Sequence, residues 1–195
     1  QALYMHFFST GGFDIDAFGY ILLDSGFNTK IMLLYSAVTI LLLGTWYRIA
    51  AVPKGMLRRR LGQIFNARML LACFILMVSM QYIASYLIIV IANFRPDWYE
   101  SYNQLFESAG MNDMTVLLTV YTVILAPVCE ELIFRGLMLH FFRKALPFWA
   151  ANLLQAVLFG VYHMNLIQGI YAFLIGIILG CILKLGRSIY PAILF

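Results

Sequence analysis

Long apolar runs separated by short charged segments constrain this chain more than any other feature. The run from Met69 to Asn93 holds no charged residue and exceeds the about 20 residues that a helix needs to cross a bilayer. The composition agrees, since 63% of the residues are hydrophobic and 11% are charged, against about 25% charged in an average soluble domain. Mean hydropathy is +0.87. We therefore predict an all-α, polytopic transmembrane helical bundle, with about six to eight spans in the complete protein.

The apolar runs predict five spans and the start of a sixth. The spans are expected at about 30–47, 69–93, 114–144, 147–163 and 166–183, and the sixth begins at Ser188. Residues 1–30 are interpreted as a helix remnant and an external loop. Residues 94–113 are predicted to be a second external loop, in which Trp98, Tyr99 and Tyr102 serve as ordinary interfacial anchors rather than as a binding site.

Two parts of the chain follow from these spans. Residues 1–113 are expected to form an N-terminal remnant with two transmembrane spans and their loops. Residues 114–195 are expected to form the catalytic transmembrane core. The chain begins at Gln1 and stops at Phe195 inside an apolar run, so we expect native sequence to be missing at one or both ends.

The charged residues sort to two sides of the predicted membrane. Ten of the 13 Lys and Arg residues fall on one side, and seven of the nine Asp and Glu residues fall in the loops of the other. The positive-inside rule makes the basic side cytoplasmic, in a multi-pass protein whose short loops suggest a bacterial cell membrane. The net charge of +4 then reflects contact with the lipid bilayer, and no nucleic-acid partner is expected.

Three charges lie inside the third predicted span, at Glu130, Glu131 and Arg135. Charged side chains are costly in a bilayer and are functional candidates by default. Glu131 and Arg135 are spaced i,i+4 with the acid first, which favours an ion pair on one helix face. Glu130 points about 100° away and has no partner four residues on, which leaves it available for chemistry. The alternative is that both acids only join helices structurally.

A histidine in the next span lies at the depth of Glu130. Glu130 is roughly 20 Å along its helix from Arg143, and His163 is roughly 24 Å along the following helix from Pro147. Arg143 and Pro147 belong to the same membrane face, and packed helices lie about 8 to 10 Å apart, so the two side chains could hold a water between them. Such a pair can deprotonate water or contribute two ligands to a metal.

Glycines recur along the same helices, at Gly136, Gly160, Gly169, Gly176 and Gly180. The last two are spaced as G-x-x-x-G. We predict close helix packing at these positions, because small residues let helix backbones approach one another. Asn165, two residues after His163, is predicted to cap the helix that follows it.

The motif Glu130-Glu131-x-x-x-Arg135-Gly136, followed by Phe159-x-x-x-His163, resembles the first two motifs of the CPBP intramembrane proteases. This family contains the type II CAAX prenyl proteases and bacterial bacteriocin-processing or immunity proteins. The likeness covers about 118–195. It implies that Glu130 and His163 are catalytic and activate the attacking water, and that Glu131 and Arg135 support them.

The family has a third motif, in which a His is followed four positions later by Asn or a similar residue. Its helix is often entered by a run like Ser188 to Leu194, so the expected His would come just after Phe195. A cofactor is left open, either a divalent metal such as zinc or none. A metal, if present, would be held by Glu130 and His163 with a residue beyond Phe195, since catalytic zinc normally has three protein ligands.

The sequence therefore predicts an intramembrane endopeptidase in which water activated by Glu130 and His163 hydrolyses a peptide bond. The substrate would be a peptide or a membrane-anchored protein, in CAAX-type or in leader or bacteriocin processing. A catalytically inactive immunity or scaffold protein is the first alternative, and a proton-coupled transporter with Glu130 as relay is the second. The oligomeric state is left open, since small-residue faces serve packing within and between chains.

Overall fold

A computed structural model describes residues 25–52, 67–111 and 114–195 of the chain. All regular structure in these ranges is helical. The helices are α1 (Ser25–Ala50), α2 (Ala67–Phe94), α3 (Pro96–Ser108), α4 (Val116–Ala145), α5 (Phe148–Tyr162), α6 (Leu166–Gly186) and α7 (Tyr190–Leu194). The helix remnant predicted near the N-terminus and most of the basic loop after α1 lie outside the described residues.

Four of these helices, α1, α2, α4 and α6, are long and apolar enough to cross a membrane. Large apolar side chains point outward from them, as at Leu41 (69% exposed) and Ile49 (80% exposed) in α1. The prediction of an all-α polytopic bundle is confirmed. The fourth predicted span differs, because α5 has 15 residues and a length of about 22 Å, shorter than the about 30 Å hydrocarbon core.

The segment after α2 is a helix, so the predicted loop over 94–113 is wrong for most of its length. Pro96 stands in the first turn of α3, where its missing N–H has no intrahelical acceptor to lose. Arg95, just before the helix, forms a salt bridge with Asp97 in that turn, with 2.7 Å between Nη2 and Oδ2. Tyr102 and Phe106, spaced i,i+4, pack their rings together at 4.7 Å.

The helix α4 is not a continuous α-helix. Two π-helical segments, Tyr121–Leu125 and Glu131–Met138, interrupt it. Pro127 follows the first segment and explains it, since proline cannot donate to the preceding turn and its ring crowds the carbonyl four residues back. The second segment begins directly after Glu130 and contains Glu131 and Arg135. Isolated π-helical turns are rare and are frequent at functional sites.

The helices α5 and α6 pack closely against each other. A Cβ added at Gly160 would lie 2.6 Å from the Gly169 carbonyl oxygen, and one at Gly176 would lie 3.0 Å from the Ala156 Cβ. Gly180 packs against Asn152. The predicted close packing at these glycines is therefore confirmed. Gly136 of α4 is also tightly enclosed, with Tyr47 of α1 at 3.0 Å from the position of its missing Cβ.

Buried amides join α5 to α6 beside this glycine contact. Asn152 donates to the Ile177 carbonyl at 3.0 Å, and Gln155 donates to the Gly176 carbonyl at 2.9 Å. Both side chains are fully enclosed. Hydrogen bonds of this kind between apolar helices are worth about 0.6–2 kcal/mol each. They fix α5 along α6, and α5 ends at the candidate catalytic histidine.

Candidate active site

A cavity of about 550 Å³ lies between α2, α3, α4, α5, α6 and the C-terminal residues. We call it the chamber. Its lining includes the side chains with polar or ionisable groups at Gln81, Tyr102, Glu130, Glu131, His163 and Tyr171. The structure thus brings three of the four predicted site residues to one cavity, and the fourth, Arg135, lies behind its wall.

The predicted ion pair between Glu131 and Arg135 is confirmed. Arg135 Nη1 lies 2.8 Å from Glu131 Oε1, and the two side chains are 0% and 5% exposed. The pair lies within the second π-helical segment of α4, where the two residues still share a face. The three guanidinium nitrogens and Glu131 Oε2 have no hydrogen-bond partner among the described residues.

Glu130 is half-buried and faces the chamber from the end of an α-helical turn. Within the part of the chain that the structure describes, no hydrogen bond or ion pair engages its carboxylate. Glu131 and Glu130 are adjacent but differ in this respect, since Glu131 is paired with Arg135. The helical argument from the sequence therefore distinguishes the two acids as the structure does.

His163 caps the C-terminal end of α5, and its Nδ1 lies 2.8 Å from the Phe159 carbonyl oxygen. A carbonyl can only accept, so Nδ1 carries the proton and Nε2 of the neutral ring is an acceptor. The next residue, Met164, has φ of 53° and ends the helix in the left-handed conformation usually taken by glycine. The backbone thus turns sharply beside the imidazole.

Asn165 begins α6 immediately after this turn. Its side chain accepts a hydrogen bond from the Gln168 N–H at 3.1 Å. The predicted capping role is confirmed.

Phe159 connects the two sequence motifs physically. The Arg135 guanidinium lies 4.2 Å above its ring, and the His163 ring meets it edge-on at 4.8 Å. Its backbone carbonyl holds His163 Nδ1. Phe134 packs against the same ring at 4.9 Å. A single buried aromatic residue therefore fixes both the guanidinium and the imidazole.

The sequence reasoning missed two chamber residues, Tyr102 of α3 and Tyr171 of α6. Both tyrosines line the chamber. Tyr102 was interpreted as an interfacial anchor, but it lines the chamber with Phe106. The i,i+4 spacing of these two aromatic residues is the signal that could have predicted it. Tyr171 is one phenol in an apolar helix, and no motif marks it.

The chamber offers few metal-binding donor groups. Among the described residues, no group of three or more His, Cys, Asp or Glu side chains is arranged to hold a metal ion. Glu130 and His163 supply two donor groups on one cavity, fewer than the three protein ligands of a catalytic zinc. The described side chains therefore do not by themselves complete a metal centre.

Comparison with known proteins gives a match to a family model. Residues 112–195 match the family model described as "Type II CAAX prenyl endopeptidase Rce1-like". No curated protein and no solved structure matches the chain. The matched segment contains α4 to α7, and with them Glu130, Glu131, Arg135 and His163.

Proposed function

We propose that the chain is an intramembrane endopeptidase, because residues 112–195 match the Rce1-like type II CAAX prenyl endopeptidase family model. The proposed nucleophile is a water molecule activated by Glu130 and His163. The observation that carries the proposal is the shared chamber, which is lined both by a carboxylate without a hydrogen-bond or ion-pair partner among the described residues and by an imidazole with a fixed tautomer.

The two groups are chemically suited to orient one water. A water has two O–H bonds, and the Glu130 carboxylate and His163 Nε2 are both acceptors. A water that donates to both has a lone pair directed away from them. A peptide carbonyl carbon placed along that direction would be attacked.

The proposed reaction then needs one proton relay. Glu130 takes a proton from the water as the new carbon–oxygen bond forms, which gives a tetrahedral intermediate. The carbon–nitrogen bond breaks, and Glu130 returns the proton to the leaving amine. General acid–base catalysis of this kind contributes about 10²–10⁴-fold to a rate. Tyr102 and Tyr171 add hydroxyl donors to the same chamber.

Glu131 and Arg135 are proposed as positioning residues. Their buried ion pair occupies the turn of α4 that follows Glu130, and Arg135 rests on the ring of Phe159. Phe159 in turn holds His163. A change in the pair would therefore move both proposed catalytic groups.

We propose a peptide or membrane-anchored protein as the substrate, in CAAX-type or in leader-type processing. The membrane-spanning helices that enclose the chamber, α2, α4 and α6, are apolar on their outer faces, so the substrate segment would approach from within the bilayer. The basic ends of α1, α4 and α6 would be cytoplasmic by the positive-inside rule. Cleavage would then occur within the membrane and not in an external loop.

The proposal is tested with the purified full chain in liposomes. One substrate is a prenylated peptide ending in a C-a-a-X sequence, and the other is an unprenylated hydrophobic leader peptide, with products identified by mass spectrometry. Glu130→Gln should lower kcat by about 10²–10⁴-fold while the protein stays folded. Glu100→Gln, an exposed acid on α3, is the matched control and should leave kcat unchanged.

The two substrates separate the proposed kinds of processing. Cleavage of either one that is lost in Glu130→Gln supports the endopeptidase. Cleavage that continues at the original rate in a folded Glu130→Gln protein would refute the proposed role of this carboxylate. A folded protein that cleaves neither peptide but loses proton flux in Glu130→Gln would identify the transporter instead.

A further inference from the structure

A second cavity, of about 300 Å³, lies on the other side of the Glu131–Arg135 pair. We call it the basic pocket. It lies between the C-terminal ends of α1, α4 and α6 and the start of α5, and its cationic lining residues are Arg135, Arg143, Lys184 and Arg187. The proposed catalytic groups of Glu130 and His163 line the chamber and not this pocket.

Arg135 is ion-paired with Glu131, but the other three cations of the basic pocket have no acidic partner in its lining. No Asp or Glu is among the described residues that line it. The Lys184 amino group lies 4.1 Å from the ring of Phe148, and Arg143 donates to the Leu146 carbonyl at 3.2 Å. These contacts hold the two side chains in place and leave their charges uncompensated.

Arg135 supplies the strongest indication of a ligand. Its residue surface is 1% exposed and it lines the pocket. Its Nη1 is ion-paired with Glu131, but Nε and Nη2 have no hydrogen-bond partner among the described residues. A buried guanidinium with unsatisfied N–H groups carries a large desolvation cost. The negative ends of α4 and α6 explain cations such as Arg143 and Lys184 in their last turns, but they do not explain Arg135 in the interior of α4.

We propose that the basic pocket binds a phosphate group, supplied by the headgroup of an anionic phospholipid. Guanidinium groups match phosphate oxygens geometrically, and lysine adds a compact charge. The pocket lies at the ends of three membrane-spanning helices, and Phe148 and Trp149 beside Lys184 provide an apolar border. Basic pockets between transmembrane helices are suited to lipid headgroups of this kind. The proposal goes beyond the endopeptidase and does not depend on its mechanism.

The test uses the purified full chain in an uncharged detergent. Short-chain phosphatidylglycerol, short-chain phosphatidylcholine and inorganic phosphate are titrated separately, and bound ligand is measured by native mass spectrometry. Lys184→Gln and Arg187→Asn remove one cation each. Asn is chosen at 187 because φ there is 49°, a left-handed conformation that Asn tolerates. Arg68→Gln, an exposed arginine that does not line the pocket, is the control.

We expect phosphatidylglycerol to bind more tightly than phosphatidylcholine, and each lining variant to weaken that binding about fivefold. Arg68→Gln should leave the affinity unchanged. If inorganic phosphate binds with the same sensitivity to the variants while the lipid does not, the phosphate site stands and its source is soluble. If neither ligand binds, or if Arg68→Gln weakens binding as much as the lining variants do, the basic pocket is not a phosphate site.

Either lining variant is sufficient for the test. Arg187 is exposed and lies beyond the last residue of α6, so Arg187→Asn should fold even if Lys184→Gln does not. Circular dichroism and size-exclusion elution identify the folded variants before any titration.

Discussion

The contact between Gly160 and Gly169 lets the structure predict the effect of a single methyl group. A Cβ added at Gly160 would lie 2.6 Å from the Gly169 carbonyl oxygen and 3.3 Å from the Phe173 Cβ. The nearer distance is about 0.8 Å short of the 3.4 Å at which ordinary contact begins. The obstacle is backbone, which cannot rotate away. Gly160→Ala must therefore push α5 and α6 apart at this point.

The displacement of α5 would change the position of His163 relative to Glu130. Gly160 lies three residues before His163, and its carbonyl accepts the His163 N–H at 3.3 Å. A misplacement of about 1 Å can cost about 100-fold in rate. We expect kcat/KM to fall by roughly this factor in Gly160→Ala, with a loss of about 1–3 kcal/mol of stability from overpacking. Gly169→Ala should be milder, since its added Cβ would lie 2.9 Å from the Gly160 carbonyl oxygen.

The assay measures peptide cleavage and thermal unfolding on the same liposome preparations. Gly44→Ala is the matched control, because Gly44 also lies at a helix contact but its added Cβ would meet Leu132 Cδ1 at an ordinary 3.8 Å. It should change neither kcat/KM nor Tm appreciably. If Gly160→Ala cleaves and melts as Gly44→Ala does, the close approach of α5 and α6 does not position His163.

Three further predictions follow from contacts around the chamber and at α3. Phe159→Leu keeps the backbone carbonyl but removes the ring under the Arg135 guanidinium, so the free energy of unfolding should fall by about 0.5–2 kcal/mol. We also expect kcat to fall while KM changes little. An unchanged Tm would contradict the cation–π contact. Glu131→Gln leaves Arg135 charged and unpaired, which should cost about 3–5 kcal/mol in chemical unfolding, and the double change Glu131→Leu with Arg135→Met should cost less than that. The Arg95 guanidinium holds the pKa of Asp97 below its ordinary value of 3.8. The salt bridge therefore stabilises the fold above pH 3.8, and this stabilisation is lost as the pH falls through the lowered pKa. An NMR titration should place the Asp97 midpoint below 3.8, and Arg95→Gln should raise that midpoint.

The charged residues of α4 could be predicted from the sequence because their cost in a membrane helix makes them conspicuous. The spacing of Glu131 and Arg135 predicted the ion pair, and the same argument distinguished Glu130. Counting residues along two antiparallel helices was enough to place Glu130 and His163 on one cavity. Local spacing and depth require no knowledge of tertiary structure.

Features that depend on several helices at once could not be predicted in this way. Pro127 could have indicated the first π-helical segment, but nothing in the sequence marks the second, which begins at Glu131. The sequence does not predict helix α3, because its polar residues resemble those of a loop. In the structure this helix covers the chamber with Tyr102 and Phe106. The catalytic assignments of Glu130 and His163 stay predictions.

The position of Arg135 between two cavities explains why a membrane helix would retain such a costly pair. Replacing a buried ion pair with apolar groups is often neutral or stabilising, so stability alone is a weak reason to keep one. Glu131 faces the chamber, whereas Arg135 faces the basic pocket and rests on Phe159, which holds His163. The ion pair therefore separates the chamber with its proposed catalytic groups from the basic pocket, where Arg143, Lys184 and Arg187 have no acidic partner in the lining. An apolar replacement could fill the same volume, but it could neither hold the imidazole's neighbour by a cation–π contact nor present N–H groups to an anion.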